Sequence, residues 1–351
     1  MTLPAGVHFE TYAQDRALVR TPGQWAWFVL MMVVLVALPL TGSGRVIGSA
    51  VVILITLVAV VGLQLNSGYA GQINMGQSAF MGVGAYTCAA LSAKLDMPLW
   101  ITLPAGGVCA ALFGAIFGLA ALRIKGFYLA LTTIAAQYIF GFLMLKLPKE
   151  WFGRSEGLRM EPASLFGFVF DTDARIYYLA LAVALVMVTG AWGLMRSRTG
   201  RAFVAVRDND NAAEVIGIDV FRYKTLAFFV GAFYAGIAGV LWAYYVRYVQ
   251  VDQFTLWLSI WYVGMLIVGG MGSILGAIIG TIVIRLFQEL ITVAGPWVID
   301  VWPSLGGQFV FAAMNMLLGG LIMLFVIFEP RGLVHRWNIM KESYRIWPFP
   351  H

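Results

Sequence analysis

Charge is scarce in this chain: Lys and Arg number 23 and Asp and Glu 17, so that 11% of 351 residues are charged. Soluble globular proteins carry about 25%, and so little charge cannot cover a water-facing surface of this size. Cysteine is nearly missing too. Cys88 and Cys109 are the two, both inside apolar stretches, which excludes a disulfide framework and a CxxC metal pattern. The three histidines, His8, His335 and His351, lie outside the long apolar segments, so no intramembrane metal centre or proton relay built on histidine is available. A Gly-Lys pair occurs nowhere, and without it there is no GxxxxGK[ST] loop to cradle the phosphates of ATP.

What is present is apolar: 61% of residues are hydrophobic, with 39 glycines that follow no collagen-like period. Disorder is excluded by that hydrophobicity. A helix crosses the ~30 Å hydrocarbon core with about 20 mainly apolar residues. Segments of that kind are Trp25–Thr41, Val46–Leu65, Gln77–Ala93, Leu99–Leu122, Phe127–Leu147, Ile176–Met195, Thr225–Val246 and Gln308–Phe328. The region Thr255–Ile291 is too long for one crossing and is broken by Gly269-Gly270-Met271-Gly272-Ser273, a turn by its glycine density. The sequence therefore predicts an all-α polytopic membrane protein of about ten transmembrane helices.

The net charge of +6 belongs to loops rather than to a nucleic-acid surface, because cytoplasmic loops collect Lys and Arg. Ten crossings put Arg16, Arg20, Arg123, Lys125, the run from Arg196 to Lys224, and Arg331, Arg336, Lys341 and Arg345 on one side. The Ala294–Gly307 loop opposite has no basic residue, while the Lys146–Arg175 loop mixes its basic residues with Glu150, Glu156, Glu161, Asp171 and Asp173. Both termini are expected in the cytoplasm: an arm over 1–24, a transmembrane domain over 25–328 with a cytoplasmic loop at 196–224, and an arm over 329–351. The first apolar segment is expected to be a retained anchor, since a second span follows it almost at once.

Three features carry the chemistry. Arg285 and Glu289 stand i,i+4 inside an apolar segment, where charge is costly and tends to be paired or functional; a self-neutralised pair on one helical face is the expectation. The run Ser67–Ser78 sets Gln72, Asn74, Gln77 and Ser78 among glycines between two apolar helices. Irregular polar backbone at membrane depth has to line a cavity or pack inside protein. The stretch Arg196–Gly217 is too charged to span, and in it Asn211 followed by Glu214 has capping-box spacing with Gly217 suited to follow a helix end. A short rigid helix is expected there, with Ala213, Val215 and Ile216 available to dock. Gly272, Gly276 and Gly280, like Gly231, Ala235 and Gly239, form ladders that let helices approach closely.

These blocks together resemble the LivM-type permease subunits of branched-chain amino acid ABC importers. Similar in order and spacing are Leu65–Leu91, Lys125–Ala135, Gly200–Ala243 and Gly269–Thr281. The resemblance implies alternating access in the bacterial inner membrane, with a cytoplasmic coupling helix worked by others. The implied partners are a LivH-like second permease, two LivG/LivF-like ATPase subunits that use ATP and Mg, a periplasmic binding protein and membrane lipid; no nucleic acid, metal or cofactor is bound by this chain, and it is not an enzyme. ATPase coupling falls on Arg201, Arg207, Asn211, Ala212, Ala213, Glu214 and Gly217, with Asn211 where the family's docking loop has Glu. The translocation path falls on Gly71, Gln72, Asn74, Gly76, Gln77, Ser78, Tyr86, Thr132 and Thr133. The loop Phe152–Leu158 departs from the family pattern at Phe152, Arg154 and Glu156, which keeps urea, short amides and aromatic acids open as substrates beside branched-chain amino acids. An ion-coupled secondary transporter is the rival reading, disfavoured by the few carboxylates within the spans.

Overall fold

The computed structural model describes residues 22–120, 126–165, 167–301 and 306–346. Arg16, Arg20, Arg123, Lys125 and the outer parts of both arms lie outside the described residues. In chain order the helices are α1 (Pro22–Ala37), α2 (Gly44–Leu63), α3 (Gln77–Leu95), α4 (Leu99–Ala120), α5 (Phe127–Lys146) and α6 (Asp173–Arg196). After two short helices, α7 (Arg198–Asp208) and α8 (Asp210–Val215), come α9 (Val220–Val246), α10 (Leu256–Gly269), α11 (Ile274–Val301), α12 (Gly306–Phe328) and α13 (Leu333–Ile346).

Over their described residues the expected apolar segments coincide with these helices to within a few residues at the ends, and the long region breaks between Gly269 and Ile274 as its glycines predict. Among the described residues, seven stretches are long and apolar enough to cross a bilayer alone: Gly44–Tyr69, Leu99–Leu119, Phe127–Lys146, Asp173–Arg196, Val220–Val246, Val251–Gly269 and Ile274–Pro296. An eighth is reached if Asn315–Phe328 and Leu333–Ser343, bent by 46°, form one broken span. The chain is thus a mainly helical, multi-pass membrane protein. α1 is short, and α3 is diluted by Gln77, Ser78, Thr87, Ser92 and Lys94.

The fold is not purely helical. β1 (Leu158–Arg159) pairs antiparallel with β4 (Tyr248–Val249), and β2 (Ala163–Leu165) with β3 (Phe168–Phe170). These small ladders close the end of the bundle opposite α7 and α8.

Two helices, α2 and α9, are enclosed by the rest, and small residues bring their neighbours close. A Cβ on Gly239 of α9 would stand 1.9 Å from the Met81 carbonyl oxygen of α3, and one on Gly236 would stand 2.6 Å from that of Gly106 in α4. In the same way, Gly280 of α11 lies against the Met265 carbonyl of α10, where a Cβ would come within 2.0 Å. Backbone packed on backbone is how helices associate when lipid offers no hydrophobic incentive.

One expectation is overturned here. Arg285 and Glu289 do not pair with each other. Arg285 turns toward α2 and donates to Thr56 Oγ1 at 3.0 and 2.7 Å and to Gln288 Oε1 at 3.1 Å. Glu289, one turn further along, faces Arg45 at the start of α2, 3.9 Å away. The neighbouring helix supplies Thr56 to Arg285 and Arg45 to Glu289, and Gln288 of its own helix takes the remaining edge of the guanidinium.

Candidate functional site

The polar break after α2 is built by the chain itself. α2 ends in a π-helical turn, Gln64–Tyr69, a wider coil that recurs at functional positions. The backbone then runs without helix until Gln77, with Gly76 at the N-cap of α3 and Gly71 at φ +69. Among these residues Gln64, Asn66, Gln72, Asn74, Gln77 and Ser78 are all buried.

Buried amides need partners; Gln64 and Gln77 find them across elements and Asn74 within its own segment, while Asn66 and Gln72 have none among the described residues. Asn74 Nδ2 donates to Gln77 Oε1 at 2.9 Å, while Asn74 Oδ1 accepts from the Gly76 N–H at 2.9 Å. Gln77 Nε2 donates to the Ala59 carbonyl of α2 at 2.8 Å and reaches that of Gly231 in α9 at 3.3 Å. Thr133 Oγ1 accepts from the Met75 N–H at 2.9 Å. The Ser78 N–H donates to Ser259 Oγ at 2.9 Å, and Ser78 Oγ lies 2.8 Å from Gln137 Oε1 and 2.7 Å from the Thr255 carbonyl. Gln137 Nε2 completes the chain by donating to the Phe254 carbonyl at 2.5 Å.

The site therefore joins Asn74, Gly76, Gln77, Ser78 and Thr133 from the expected path. Tyr86 sits further along α3, buried, its ring edge-on to Phe140 at 6.1 Å and its hydroxyl without a partner among the described residues. Gln72 is buried with both amide atoms unpartnered. Thr132 is not part of the network: its hydroxyl bonds the Tyr128 carbonyl of its own helix at 3.0 Å. Three members were missed in the sequence. Gln137 carried a signal, a lone amide within an apolar span; Ser259 carried none that separates it from other small hydroxyl residues, and Thr255 joins through its backbone carbonyl, which no side-chain pattern marks. Beside the network a groove of about 780 Å³ opens on the flank of α5 and α10, lined by Gln137, Phe142, Asp252, Thr255, Trp257 and Ile260 among others.

The second part is the charged stretch between α6 and α9. α7 is capped by Ser197, whose Oγ accepts from the Thr199 N–H at 3.2 Å. It buries Phe203 against Tyr69, Ala70, Tyr223 and Ala227. The cap of α8 is Asn209 and not Asn211: Asn209 is extended (φ −162, ψ 109) and its Oδ1 accepts from the Ala212 N–H at 3.1 Å. The short break between α7 and α8 shifts the helix start by two residues relative to the spacing that suggested Asn211. Gly217, at φ +84, ends α8, with its N–H on the Glu214 carbonyl at 2.9 Å and that of Ile218 on Ala213 at 3.0 Å. This is the paired bonding of a Schellman turn.

Of the apolar residues expected to dock, Ala213 is buried in the chain's own structure, whereas Val215 and Ile216 are 87% and 72% exposed. Asn211, Ala212, Glu214 and Gly217 are exposed beside them. Arg201 is exposed and donates to the Arg196 carbonyl at 3.3 Å. Arg207 is turned back along its own chain, held by Asp208 Oδ1 at 3.0 and 2.9 Å and donating to the Gly68 carbonyl at 3.2 Å. A cavity of about 320 Å³ separates this stretch from the polar break, with Gly71, Gln72, Arg207, Asn209, Asn211 and Lys224 on its walls.

Comparison with known proteins agrees with this architecture. The chain is 28% identical to the high-affinity branched-chain amino acid transport system permease protein LivM of Escherichia coli (strain K12), over 94% of this chain and 79% of that protein. It is 24% identical to the probable branched-chain amino acid transport permease protein LivM of Methanocaldococcus jannaschii, over 63% of this chain and 64% of that one. It is 32% identical to the autoinducer 2 import system permease protein LsrC of Enterobacter sp. (strain 638), over 48% and 49%. No solved structure matches. Residues 45–327 match the profile of the permease components of branched-chain amino acid transport systems, and the chain belongs to that family.

Proposed function

We propose that this chain is one permease subunit of an ATP-driven importer that moves branched-chain amino acids across the bacterial inner membrane by alternating access. The observation that carries the coupling half of this reading is the exposed Val215–Ile216 pair at the end of α8, a helix held to the bundle by buried Ala213 and by the Asp210–Lys224 pair. Two bare aliphatic side chains on an otherwise charged loop suit a partner surface better than water. In this reading α7 and α8 receive two ATPase subunits, which hold ATP and Mg, and the basic end of the bundle faces the cytoplasm with both arms. About ten crossings satisfy that arrangement.

The substrate half rests on the polar break and the groove beside it. A periplasmic binding protein delivers the amino acid to the opposite mouth. The α5–α10 groove offers apolar walls for an aliphatic side chain, and a LivH-like second permease closes it. The hydrogen-bonded residues Asn74, Gln77, Ser78, Thr133 and Gln137 set the depth at which the path is gated. ATP binding moves the bundle because it stabilises one of two arrangements more than the other.

Purification of the complex tests the docking. The chain should leave the membrane with two ATP-hydrolysing subunits, and Ile216→Glu or Val215→Glu should strip them while leaving the permease inserted and folded. ATPase subunits retained at wild-type stoichiometry in both variants would refute the docking assignment. Uphill leucine uptake by the purified chain alone would refute the importer reading.

A further inference from the structure

Three segments distant in sequence meet at the inner end of the bundle: the unwound run after α2, the Gly270–Ser273 turn between α10 and α11, and α7. The first two are stitched directly. Tyr69 Oη accepts from the Ile274 N–H at 3.2 Å, and Gln64 Nε2 donates to the Ser273 carbonyl at 2.9 Å. Arg207 reaches both from α7. Its Nη1 donates to the Gly68 carbonyl at 3.2 Å. Its stem passes Gly71 so closely that a Cβ there would stand 2.6 Å from Cγ, and a Cβ on Gly272 would stand 3.0 Å from Nη1.

Both glycines are at positive φ, +69 and +82, a conformation that glycine adopts without penalty. The two breaks therefore turn where no side chain stands between backbone and guanidinium. Asp208 holds the other edge of the fork through Nε and Nη2, so the plane of the group is fixed from α7 while Nη1 points at the break. A lysine ammonium offers no such fork.

We infer that Arg207 is a positioning residue that carries the movement of α7 and α8 to the Gly68–Gly71 and Gly270–Ser273 breaks together. It acts within the chain, in place of the outward contact with an ATPase that its charge suggests. Moving α7 shifts the guanidinium, and the guanidinium shifts backbone where helical bonding ends, at the close of the π-helical turn and in the glycine turn before α11. One break leads directly into the Asn74–Ser78 network at the start of α3, and the other into α11. This rests on the reading that α7 and α8 receive the ATPases.

Hydrogen exchange on the whole importer complex, with and without ATP and Mg, tests the linkage without needing the substrate. In the wild type, ATP should change exchange in residues 198–217 and also in residues 66–76 and 270–273. With Arg207→Met the response of 198–217 should persist while both breaks stop responding; Arg207→Lys should restore part of it. Leucine taken up per ATP hydrolysed should fall by roughly tenfold in Arg207→Met, whereas a merely structural role would lower uptake and hydrolysis in proportion. Breaks that still respond in Arg207→Met overturn the inference. If that complex does not assemble, Asp208→Asn, which loosens the fork without removing it, is judged by the same criterion. An unresponsive 198–217 segment in the wild type would instead count against docking itself.

Discussion

Lys224 Nζ stands 2.6 Å from Asp210 Oδ2, with their side chains only 9% and 20% exposed. The pair ties the first turns of α8 and α9 together, so the short helix that presents Val215 and Ile216 is pinned to one of the two central helices. Removing one member of a shielded ion pair leaves the other charge poorly solvated, while replacing both with apolar groups relieves that penalty. Lys224→Met should lower the melting temperature of the solubilised complex, and Lys224→Met with Asp210→Leu should recover part of the loss. A coupling of roughly 1–2 kcal/mol in a thermal-denaturation mutant cycle is the expected size, and additive single effects would show that the pair pins nothing.

Gln137 bridges two elements that the chain separates by more than a hundred residues, Ser78 on α3 and the Phe254 carbonyl before α10. Gln137→Leu removes both bonds; Ser78 keeps the Thr255 carbonyl, but the Phe254 carbonyl is left unmet, at a cost of about 1–3 kcal/mol. Leucine uptake should fall at unchanged expression, and Gln137→Glu, which keeps only acceptors, should fail to restore the bond to Phe254. Uptake at the wild-type rate in Gln137→Leu would remove this amide from the gate.

The helical segments were legible because an apolar span has a length fixed by the bilayer, and the Gly269–Ser273 break because glycines at such density end a helix. Contacts across helices were not. Arg285 and Glu289 looked like partners because sequence displays i,i+4 neighbours and hides Thr56 and Arg45 on another helix. Asn211 looked like a cap for a similar reason: the one-residue break at Asn209 leaves no mark in the composition. The polar run Ser67–Ser78 announced itself, yet its partners Gln137, Thr255 and Ser259 come from three-dimensional packing alone. Ala213, read with Val215 and Ile216 as available to dock, is buried within its own chain, whereas those two are exposed.

Close backbone packing gives a steric test. A methyl group on Gly239 would meet the Met81 carbonyl oxygen at 1.9 Å and the Ala85 nitrogen at 2.9 Å. Neither is the end of a flexible side chain, so α3 and α9 would have to part. Gly239→Ala should destabilise by at least the 1–3 kcal/mol typical of overpacking, about that or more. Gly193→Ala on α6, where nothing lies within 4 Å, should be neutral or slightly stabilising. Thermal unfolding of the two variants in detergent, followed by monodispersity on gel filtration, separates them. Equal stability would mean that α3 and α9 do not pack backbone against backbone at Gly239.

The ends of α8 can be tested one residue at a time. If Asn209 is the cap, Asn209→Ala exposes the Ala212 N–H and should cost about 1 kcal/mol of local stability, while Asn211→Ala, two residues on and exposed, should cost almost nothing. At the other end Gly217→Ala forces a side chain into φ +84, a strain of roughly 1 kcal/mol. Gly217→Pro does more, since it fixes φ near −65° and removes the N–H that bonds the Glu214 carbonyl. Hydrogen exchange in residues 209–218 should accelerate in the order Asn211→Ala, Asn209→Ala, Gly217→Pro, and ATPase stimulation by the loaded binding protein should decline in the same order. An Asn211→Ala variant as impaired as Asn209→Ala would assign Asn211 to the partner's surface instead of to the helix end, since its side chain makes no hydrogen bond among the described residues.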